Sequence, residues 1–204
     1  MKVGNFKMNS VNISLFRLIN DLGFQLKFMN PIIAFIAEYG VFLLAFWMIL
    51  CWFSTHEKVH ARVVLLGSLI SFLISEVIGK VLGTFIEHPQ PFAALPDVTQ
   101  LISHEIDNSF PSDHTILFFS ICMMFFLGSK SSKRVFYLIA ASIVGIARIW
   151  AGVHYPIDIL VAALIGILVA SILYPIITRS KVLVRIINIY DHFAGLLKHS
   201  LYRK

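Results

Sequence analysis

Five long apolar stretches constrain the fold of this chain more than any other feature of its sequence. They cover residues 31–53, 62–86, 111–127, 135–151 and 156–178. A helix needs about 20 largely apolar residues to cross the hydrocarbon core of a bilayer, and its backbone groups must then be hydrogen-bonded internally. The sequence therefore predicts an all-α fold, a polytopic membrane helix bundle with about five transmembrane helices.

Both ends of the chain have the pattern of amphipathic surface helices. Near the N-terminus, apolar residues recur at helical spacing: Leu15, Leu18, Ile19, Leu22 and Leu26. A similar apolar face, interleaved with basic residues, follows residue 179. Because no internal repeat or low-complexity linker divides the chain, we expect one membrane-embedded domain over residues 1–204. Residues 1–30 would form an interfacial segment and residues 179–204 a tail.

The composition argues against a nucleic-acid-binding protein and against a disulfide-stabilised one. The formal net charge is +6, but 58% of the residues are hydrophobic and only 14% are charged, which is typical of a polytopic membrane protein. The basic residues lie between the apolar stretches and in the tail, where membrane topology explains them. The two cysteines, Cys51 and Cys122, fall inside apolar stretches, so neither a disulfide framework nor a metal cluster is indicated.

The distribution of positive charge predicts how the chain is oriented in the membrane. Residues 54–61, residues 128–134 and the tail are basic, so we expect them to face the cytoplasm. Residues 87–110 contain four acidic residues and no Lys or Arg, and should face outward. This orientation leaves the basic N-terminal segment outside, against the usual rule, and we expect its cations to contact anionic lipid of the outer leaflet.

This orientation brings polar residues from four predicted helices to one depth at the outer side. They are Lys80, Ser112, Asp113, His114, Arg148, His154 and Asp158. Each has a structural explanation when taken alone. Lys80 is spaced for a helical ion pair with Glu76, Arg148 could form a buried salt bridge with Asp158, and Ser112 could start a helix. However, a charge at a helix centre costs about 2.5–3.5 kcal/mol, and so large a cluster indicates a functional site.

The chemistry of these residues favours a phosphate group. Two cations and the N-terminus of a helix form a site that suits a tetrahedral anion. His154 precedes Asp158 by four residues, so the carboxylate can fix one imidazole tautomer and leave the other nitrogen as a nucleophile. His114 is then the candidate to protonate the leaving oxygen. These residues predict phosphoryl transfer through a phosphohistidine, without a metal or other cofactor, and with the cations stabilising the transition state.

Two motifs resemble those of the type 2 phosphatidic acid phosphatase superfamily. The family motif Pro-Ser-Gly-His reads PSDH at residues 111–114. The family motif Ser-Arg-x5-His-x3-Asp reads ARIWAGVHYPID at residues 147–158, with identical intervals. Within the superfamily, these runs and the five-span length look like the bacitracin-resistance branch, which comprises undecaprenyl-diphosphate phosphatases.

The resemblance implies a role for each matching residue. His154 resembles the nucleophile, Asp158 its orienting partner and His114 the general acid. Lys80, Ser112 and Arg148 look like phosphate ligands.

The chain departs from the family pattern at three positions. Asp113 stands where the family has glycine, which implies that its backbone N–H contacts the phosphate while its carboxylate turns away or meets a cation. Ala147 replaces a serine. No arginine follows Lys80 at the expected place, and Gln90 is the candidate substitute as a neutral donor to the substrate.

The resemblance also implies a substrate and a location. The expected reaction is hydrolysis of undecaprenyl diphosphate to undecaprenyl phosphate and phosphate, at the outer face of the cytoplasmic membrane. It would recycle the lipid carrier of cell-wall synthesis and confer bacitracin resistance. The partners implied are the polyisoprenyl diphosphate lipid and the membrane, with a homodimer left open. The alternatives are a phosphatase for phosphatidylglycerophosphate or phosphatidate, and a permease component.

Three further polar residues receive no role from the motifs. His88 and His104 belong to the outer segment 87–110, where we expect them to be exposed and do not assign them as metal ligands. That segment is long for a connection without regular structure, so it either frames an opening toward the lipid or is a solvated linker. Glu38 lies within the first apolar stretch without an identified partner.

Overall fold

The computed structural model describes residues 9–54 and 58–201, and every regular element in these ranges is a helix. The N-terminal cations Lys2 and Lys7, residues 55–57 and the last three residues lie outside the described part. In chain order the α-helices are α1 (Ser10–Asn20), α2 (Leu22–Gln25), α3 (Asn30–Ser54), α4 (Lys58–Gly83), α5 (Pro91–Ala94), α6 (Asp113–Gly128), α7 (Val135–Trp150), α8 (Pro156–Thr178) and α9 (Lys181–Leu201). Short 3₁₀ turns at Lys27–Met29 and Ser132–Arg134 precede α3 and α7.

Within residues 9–54 and 58–201, three helical segments are long and apolar enough to cross a membrane: Lys27–Phe53, Val59–Gly83 and Pro156–Thr178. The predicted spans 111–127 and 135–151 correspond to α6 and α7, which have 16 residues each. At 1.5 Å per residue, such a helix is about 24 Å long, slightly less than the hydrocarbon core. The prediction of an all-helical, multi-pass membrane protein is confirmed, while the number of five spans stays a prediction.

Helix α6 lies at the centre of the bundle, against α4, α7 and α8. Ile116, Ser120 and Met124 follow one another at four-residue intervals, and all three are completely buried. A Cβ atom at Gly166 of α8 would lie 2.8 Å from the backbone nitrogen of Ser120, so only glycine permits this close approach. The close packing fixes the N-terminal ends of α6 and α8 beside each other.

Helix α4 meets the bundle through a stripe of small residues. Ser68, Ser71, Ser75 and Gly79 recur every three or four positions, and all are buried. Small residues at this spacing let helix backbones come close in a membrane, where packing and not the hydrophobic effect drives association. The stripe ends beside Lys80, which is thereby held at the same end of the bundle as the start of α6.

Helix α1 packs at that same end of the bundle. The Asn20 Nδ2 atom donates hydrogen bonds to the carbonyl oxygens of Thr99 at 2.9 Å and Trp150 at 2.8 Å. Leu15 and Leu18 of the predicted apolar face are instead exposed, because buried Asn20 turns the opposite face inward. Helix α1 therefore lies at the same end of the bundle as the polar cluster, while the side of the membrane that this end faces stays a prediction.

Helix α9 packs against the opposite end of α4. Buried Arg62 forms an ion pair with Asp191 and lies over the rings of Trp52 and Tyr190, at 5.0 and 5.2 Å from their centroids. Ile187 of α9 is also buried. Arg62 and Lys80 are separated by 18 residues, or about 27 Å along the helix. The tail helix is therefore remote from the polar cluster.

Candidate active site

A polar cavity of about 650 Å³ opens at the end of the bundle where α4 ends and α6 begins. This volume lies within the range of small-molecule sites. Five of the residues singled out from the sequence line it: Lys80, Asp113, His114, Arg148 and His154. Ser112 and Asp158 are completely buried. The structure therefore brings together all the residues of the two matching motifs that carry polar chemistry.

His154 lies in the short connection between α7 and α8. The preceding turn requires Gly152, whose φ of +82° and contact with the Thr99 carbonyl exclude a side chain. The Nδ1 atom of His154 is 2.9 Å from the carbonyl oxygen of Ser109, which can only accept a hydrogen bond. Nδ1 therefore carries the proton, and Nε2 keeps its lone pair. Nε2 is 3.4 Å from the Nη2 atom of Arg148.

Burial lowers the pKa of His154, and the positive charge of Arg148 contributes in the same direction. Asp158 opposes the shift but does not reverse it. The imidazole therefore stays neutral at a pH where an exposed histidine, with a pKa of about 6.5, is already charged. Because the unfolded chain binds a proton more readily, this residue stabilises the fold less as the pH falls below that value.

Asp158 is the buried anion behind His154, in the first turn of α8. Its Oδ2 atom accepts hydrogen bonds from the Ser109 hydroxyl at 2.7 Å and from the Tyr155 backbone N–H at 2.8 Å. The same oxygen is 3.7 Å from Nδ1 of His154, longer than a hydrogen bond. Asp158 thus reaches the imidazole mainly through Ser109, which sequence reasoning missed. The one feature of the sequence that could have indicated this role is that Ser109, a hydroxyl residue, stands two positions before the PSDH motif.

Arg148 projects from the last turn of α7 and is almost completely buried. Its Nη1 atom donates a hydrogen bond to the carbonyl oxygen of Ala37 in α3, at 3.1 Å, and this contact aims the guanidinium at His154. The Nε atom is buried and has no hydrogen-bond partner among the described residues. The alternative that Arg148 forms a salt bridge with Asp158 is not found in the described part of the structure, which leaves Arg148 a donor for a further acceptor.

Ser112 caps the N-terminus of α6. Its hydroxyl oxygen accepts from the backbone N–H of Thr115 at 3.4 Å and from the Thr115 hydroxyl at 3.0 Å. Capping of this kind satisfies backbone donors that the helix leaves free. The helix-starting role considered for Ser112 is therefore confirmed, whereas its contact with phosphate stays a prediction.

Lys80 lies between two carboxylates at the mouth of the cavity. Its Nζ atom is 3.4 Å from Oε1 of Glu76, which confirms the predicted helical ion pair, and 2.7 Å from Oδ2 of Asp113. The Lys80 and Asp113 side chains are 64% and 52% exposed, so solvent screens their attraction. The Asp113 carboxylate thus pairs with a cation, which is one of the two orientations that the sequence predicted.

Gln90 does not line the cavity. Its side-chain amide is completely buried and pairs with Asp107: Nε2 donates to the carboxylate, and Oε1 accepts from the Asp107 backbone N–H at 3.1 Å. With both ends of the amide engaged, Gln90 holds the outer segment in place. The structure therefore offers no contact through which Gln90 would bind a substrate, and that role stays a prediction without structural support.

The expectation that His88 is exposed is wrong. His88 is only 3% exposed, and its Nε2 atom lies 3.2 Å from Oδ1 of Asp158. His104 is half-buried and lines the cavity, with its ring centroid 6.2 Å from that of His154. The segment 87–110 folds back over the helix ends, which nothing in its own sequence indicated. Within the described ranges, no three His, Cys, Asp or Glu side chains are close enough to hold one metal ion.

Comparison with known proteins assigns the chain to the class of membrane-embedded phosphatases. The family model of the PAP2 superfamily matches residues 64–181, which are more than half of the chain. The chain belongs to this superfamily, as its motifs had indicated.

Individual relatives are similar to this chain over most of their length. The "Bacitracin transport permease protein BcrC" of Bacillus licheniformis is 42% identical over 183 residues, covering 90% of this chain and 89% of the relative. The "Undecaprenyl-diphosphatase BcrC" of Bacillus subtilis (strain 168) is 30% identical over 167 residues, covering 80% and 83%. Among solved structures, Aquifex aeolicus LpxE has a TM-score of 0.65 at 29% identity, covering 82% of this chain and 97% of that one.

Proposed function

We propose that this protein hydrolyses undecaprenyl diphosphate to undecaprenyl phosphate and inorganic phosphate, at the outer face of the cytoplasmic membrane. The reaction recycles the lipid carrier of cell-wall synthesis and so confers resistance to bacitracin. Family membership supports a phosphatase, and similarity to the undecaprenyl-diphosphatase of Bacillus subtilis supports this substrate. The acidic outer segment and the basic segments 128–134 and 179–204 support the orientation.

The observation that carries the proposal is the orientation of His154. Its Nδ1 atom is held by the Ser109 carbonyl at 2.9 Å, and its Nε2 lone pair faces the cavity, where Nη2 of Arg148 donates to it at 3.4 Å. A neutral imidazole in this tautomer, held in place from behind, is an oriented nucleophile. An arginine beside it with an unused buried donor supplies a ligand for the phosphate that the nucleophile attacks.

In the first step, Nε2 of His154 attacks the terminal phosphorus of the diphosphate. The bond from that phosphorus to the bridging oxygen breaks, and its electron pair stays on the oxygen of undecaprenyl phosphate. Protonated His114 gives its proton to this oxygen. Arg148 and the backbone N–H groups at the start of α6 stabilise the charge on the equatorial oxygens.

In the second step, water attacks the phosphorus of the phosphohistidine. Now neutral, His114 accepts a proton from the water, the phosphorus–nitrogen bond breaks, and its electron pair returns to Nε2 of His154. Inorganic phosphate leaves, and both histidines regain their initial protonation. Asp158 stays ionised throughout and stabilises the imidazole ring through Ser109, as its buried hydrogen bonds require.

Chelation of divalent ions should leave the activity within about twofold of its initial value, because protein cations and helix amides supply the positive charge. Phosphate release by purified protein would be followed before and after dialysis against EDTA. A loss of activity that Mg²⁺ or Zn²⁺ restores would contradict the metal-independent mechanism.

Ser109→Ala should lower kcat about tenfold and leave KM nearly unchanged. The substitution removes the hydroxyl that donates to Asp158 at 2.7 Å but keeps the backbone carbonyl that holds His154. A hydrogen bond to a charged group contributes about 1.5–3 kcal/mol, part of which the remaining contacts offset. Steady-state kinetics on the lipid diphosphate would measure the effect, with Ser142→Ala, on the exposed side of α7, as the matched control. An unchanged kcat would show that Ser109 does not link the two residues.

Asp113→Asn should lower KM a few-fold at low ionic strength, with little change in kcat. The substitution removes a negative charge from the mouth of the cavity and frees Lys80 for the substrate, while the backbone N–H at the start of α6 remains. Because both side chains are largely exposed, the effect should fade in about 1 M salt. A rise in KM at low salt would instead show that the carboxylate assists substrate binding.

The choice of substrate is tested by direct comparison of three lipids. Purified protein in detergent micelles would be given undecaprenyl diphosphate, phosphatidylglycerophosphate and phosphatidate at equal concentration, and phosphate release would be measured. We expect kcat/KM to be highest for the diphosphate. A clear preference for either glycerophospholipid would retain the chemistry but replace the proposed substrate.

The relative from Bacillus licheniformis is named a transport permease, and similarity to it favours a second candidate function, that of a permease component. Bacitracin resistance in cells separates the two functions when it is measured for wild type and His154→Ala expressed at equal levels. The phosphatase predicts that resistance and phosphate release are lost together. Resistance that persists in the variant without hydrolysis would support transport.

A further inference from the structure

His88 lies directly behind the buried carboxylate of Asp158. It follows the end of α4, at a distance of 70 residues in sequence from Asp158, and is 3% exposed. Its Nε2 atom lies 3.2 Å from Oδ1 of Asp158, within reach of an ion pair, and its Nδ1 atom lies 3.4 Å from the carbonyl oxygen of Pro89. The contact lies on the opposite side of the carboxylate from the Ser109 hydroxyl, which approaches Oδ2.

The surroundings of His88 are mostly apolar. Its ring packs against Phe110 and Tyr155, with centroid distances of 6.1 and 5.5 Å. On a further side it borders a separate cavity of about 750 Å³, lined mostly by apolar residues such as Ile157 and Leu160. A side chain that replaces the imidazole therefore meets mostly apolar neighbours.

The carboxylate of Asp158 needs a donor on each oxygen. Two donors, the Ser109 hydroxyl and the Tyr155 backbone N–H, both approach Oδ2. Oδ1 is buried and has no hydrogen bond among the described residues, and Nε2 of His88 lies 3.2 Å from it as an ion-pair contact. A completely buried carboxylate oxygen without a donor is unfavourable, and the group would rotate or move to find one.

We infer that His88 is a positioning residue for the proposed reaction: its Nε2–H donates to Asp158 and fixes the carboxylate that holds Ser109 and, through it, His154. The inference rests on the proposed function, because it assigns His88 to the same nucleophile. The chain thus contains a relay of four side chains or carbonyls, which begins at His88 and ends at Nε2 of His154. The matched motifs contain only two of its side chains, those of Asp158 and His154.

The experiment compares two substitutions of similar size at His88 in the purified full-length protein. His88→Gln keeps an N–H donor near the position of Nε2, whereas His88→Met fills similar space without a donor. We expect kcat to fall about 10- to 100-fold in His88→Met, which corresponds to a lost hydrogen bond to a buried charge, with KM within twofold. In His88→Gln, kcat should stay within about threefold of wild type. His60→Met, at the remote end of α4, is the control for replacing a histidine.

A purely structural role would lower the thermal stability of both variants without separating their kcat values. An unchanged kcat in His88→Met, or an equal loss in both variants at wild-type Tm, would overturn the inference. If His88→Met does not fold, His88→Asn serves instead, because its shorter amide leaves the donor out of reach of Asp158. Wild-type protein that releases no phosphate from any of the three lipids would instead overturn the proposed function.

Discussion

Replacing His154 with alanine is expected to lower phosphate release from undecaprenyl diphosphate by at least about 10⁴-fold, the scale typical of a lost nucleophile. The reason is geometric. His154 is the ring that the Ser109 carbonyl orients toward the cavity, and its Nε2 atom lies beside Arg148. Without it, water would have to attack the diphosphate directly. Phosphate release by purified protein in detergent micelles measures the loss.

The matched control for His154→Ala is His60→Ala. His60 is an exposed histidine near the start of α4, where it contacts the Gly128 carbonyl at the remote end of the bundle. We expect that variant to keep the wild-type rate. A rate for His154→Ala within tenfold of the control would remove His154 from the reaction and assign the nucleophile to another group.

Replacing Arg148 with alanine is expected to lower kcat/KM by about 10²- to 10³-fold, comparable to removal of one preorganised donor from an enzyme site. The guanidinium is almost completely buried, one nitrogen is anchored on the Ala37 carbonyl, and another has no partner among the described residues. In the proposed mechanism, the guanidinium therefore binds the transferred phosphoryl group without first changing its own conformation. Arg148→Lys should recover little of the lost kcat/KM, because an ammonium group cannot donate hydrogen bonds in two fixed directions as the planar guanidinium does.

Two observations separate this effect from a loss of folding. Because the Ala37 contact also links α7 to α3, Arg148→Ala should lower Tm by a few degrees, and kinetics must be measured well below that temperature. Arg134→Ala, at the other end of α7, serves as the control for removal of an arginine. If kcat/KM of Arg148→Ala stays within fivefold of Arg134→Ala, Arg148 is a structural residue only.

The helices could be predicted closely because a bilayer leaves the chain few choices. The predicted stretch 156–178 is identical with α8. The stretch 31–53 is one residue shorter than α3 at each end, and the stretch 135–151 is one residue longer than α7 at its C-terminal end. Apolar length, and the proline that begins α8, define these boundaries without reference to the rest of the fold. Motif residues at the helix ends were therefore placed together correctly.

The outer segment could not be predicted, because distant contacts determine its path. His88 is buried because Asp158, 70 residues later, lies beneath it, and neither residue indicates the other in sequence. The distance of Gln90 from Lys80 in sequence makes it the candidate substitute for the family arginine. This spacing does not determine which way the Gln90 side chain points. Its amide turns to Asp107, away from the cavity. An acidic segment without cations gave no sign of such internal pairing.

The structure selects one of the two orientations that the sequence left open for the carboxylate of Asp113. A negative charge that faced the phosphate would repel it, so the sequence required the carboxylate either to turn away or to meet a cation. In the structure it forms an ion pair with Lys80 at the cavity mouth, while the backbone of the same residue begins α6. The side chain and the backbone of this residue therefore face different partners: the carboxylate pairs with Lys80, and the N–H belongs to a helix N-terminus, a position that favours anions.

The most direct test of the mechanism is to trap the phosphorylated protein. Wild-type protein would be mixed with undecaprenyl diphosphate labelled in the terminal phosphate, quenched within milliseconds in alkali, where a phosphorus–nitrogen bond survives, and digested for mapping. The proposal predicts label on the peptide that contains His154, lost on brief acid treatment and absent from His154→Ala. Substrate turnover without labelled protein at any quench time, or label on a different residue, would contradict it.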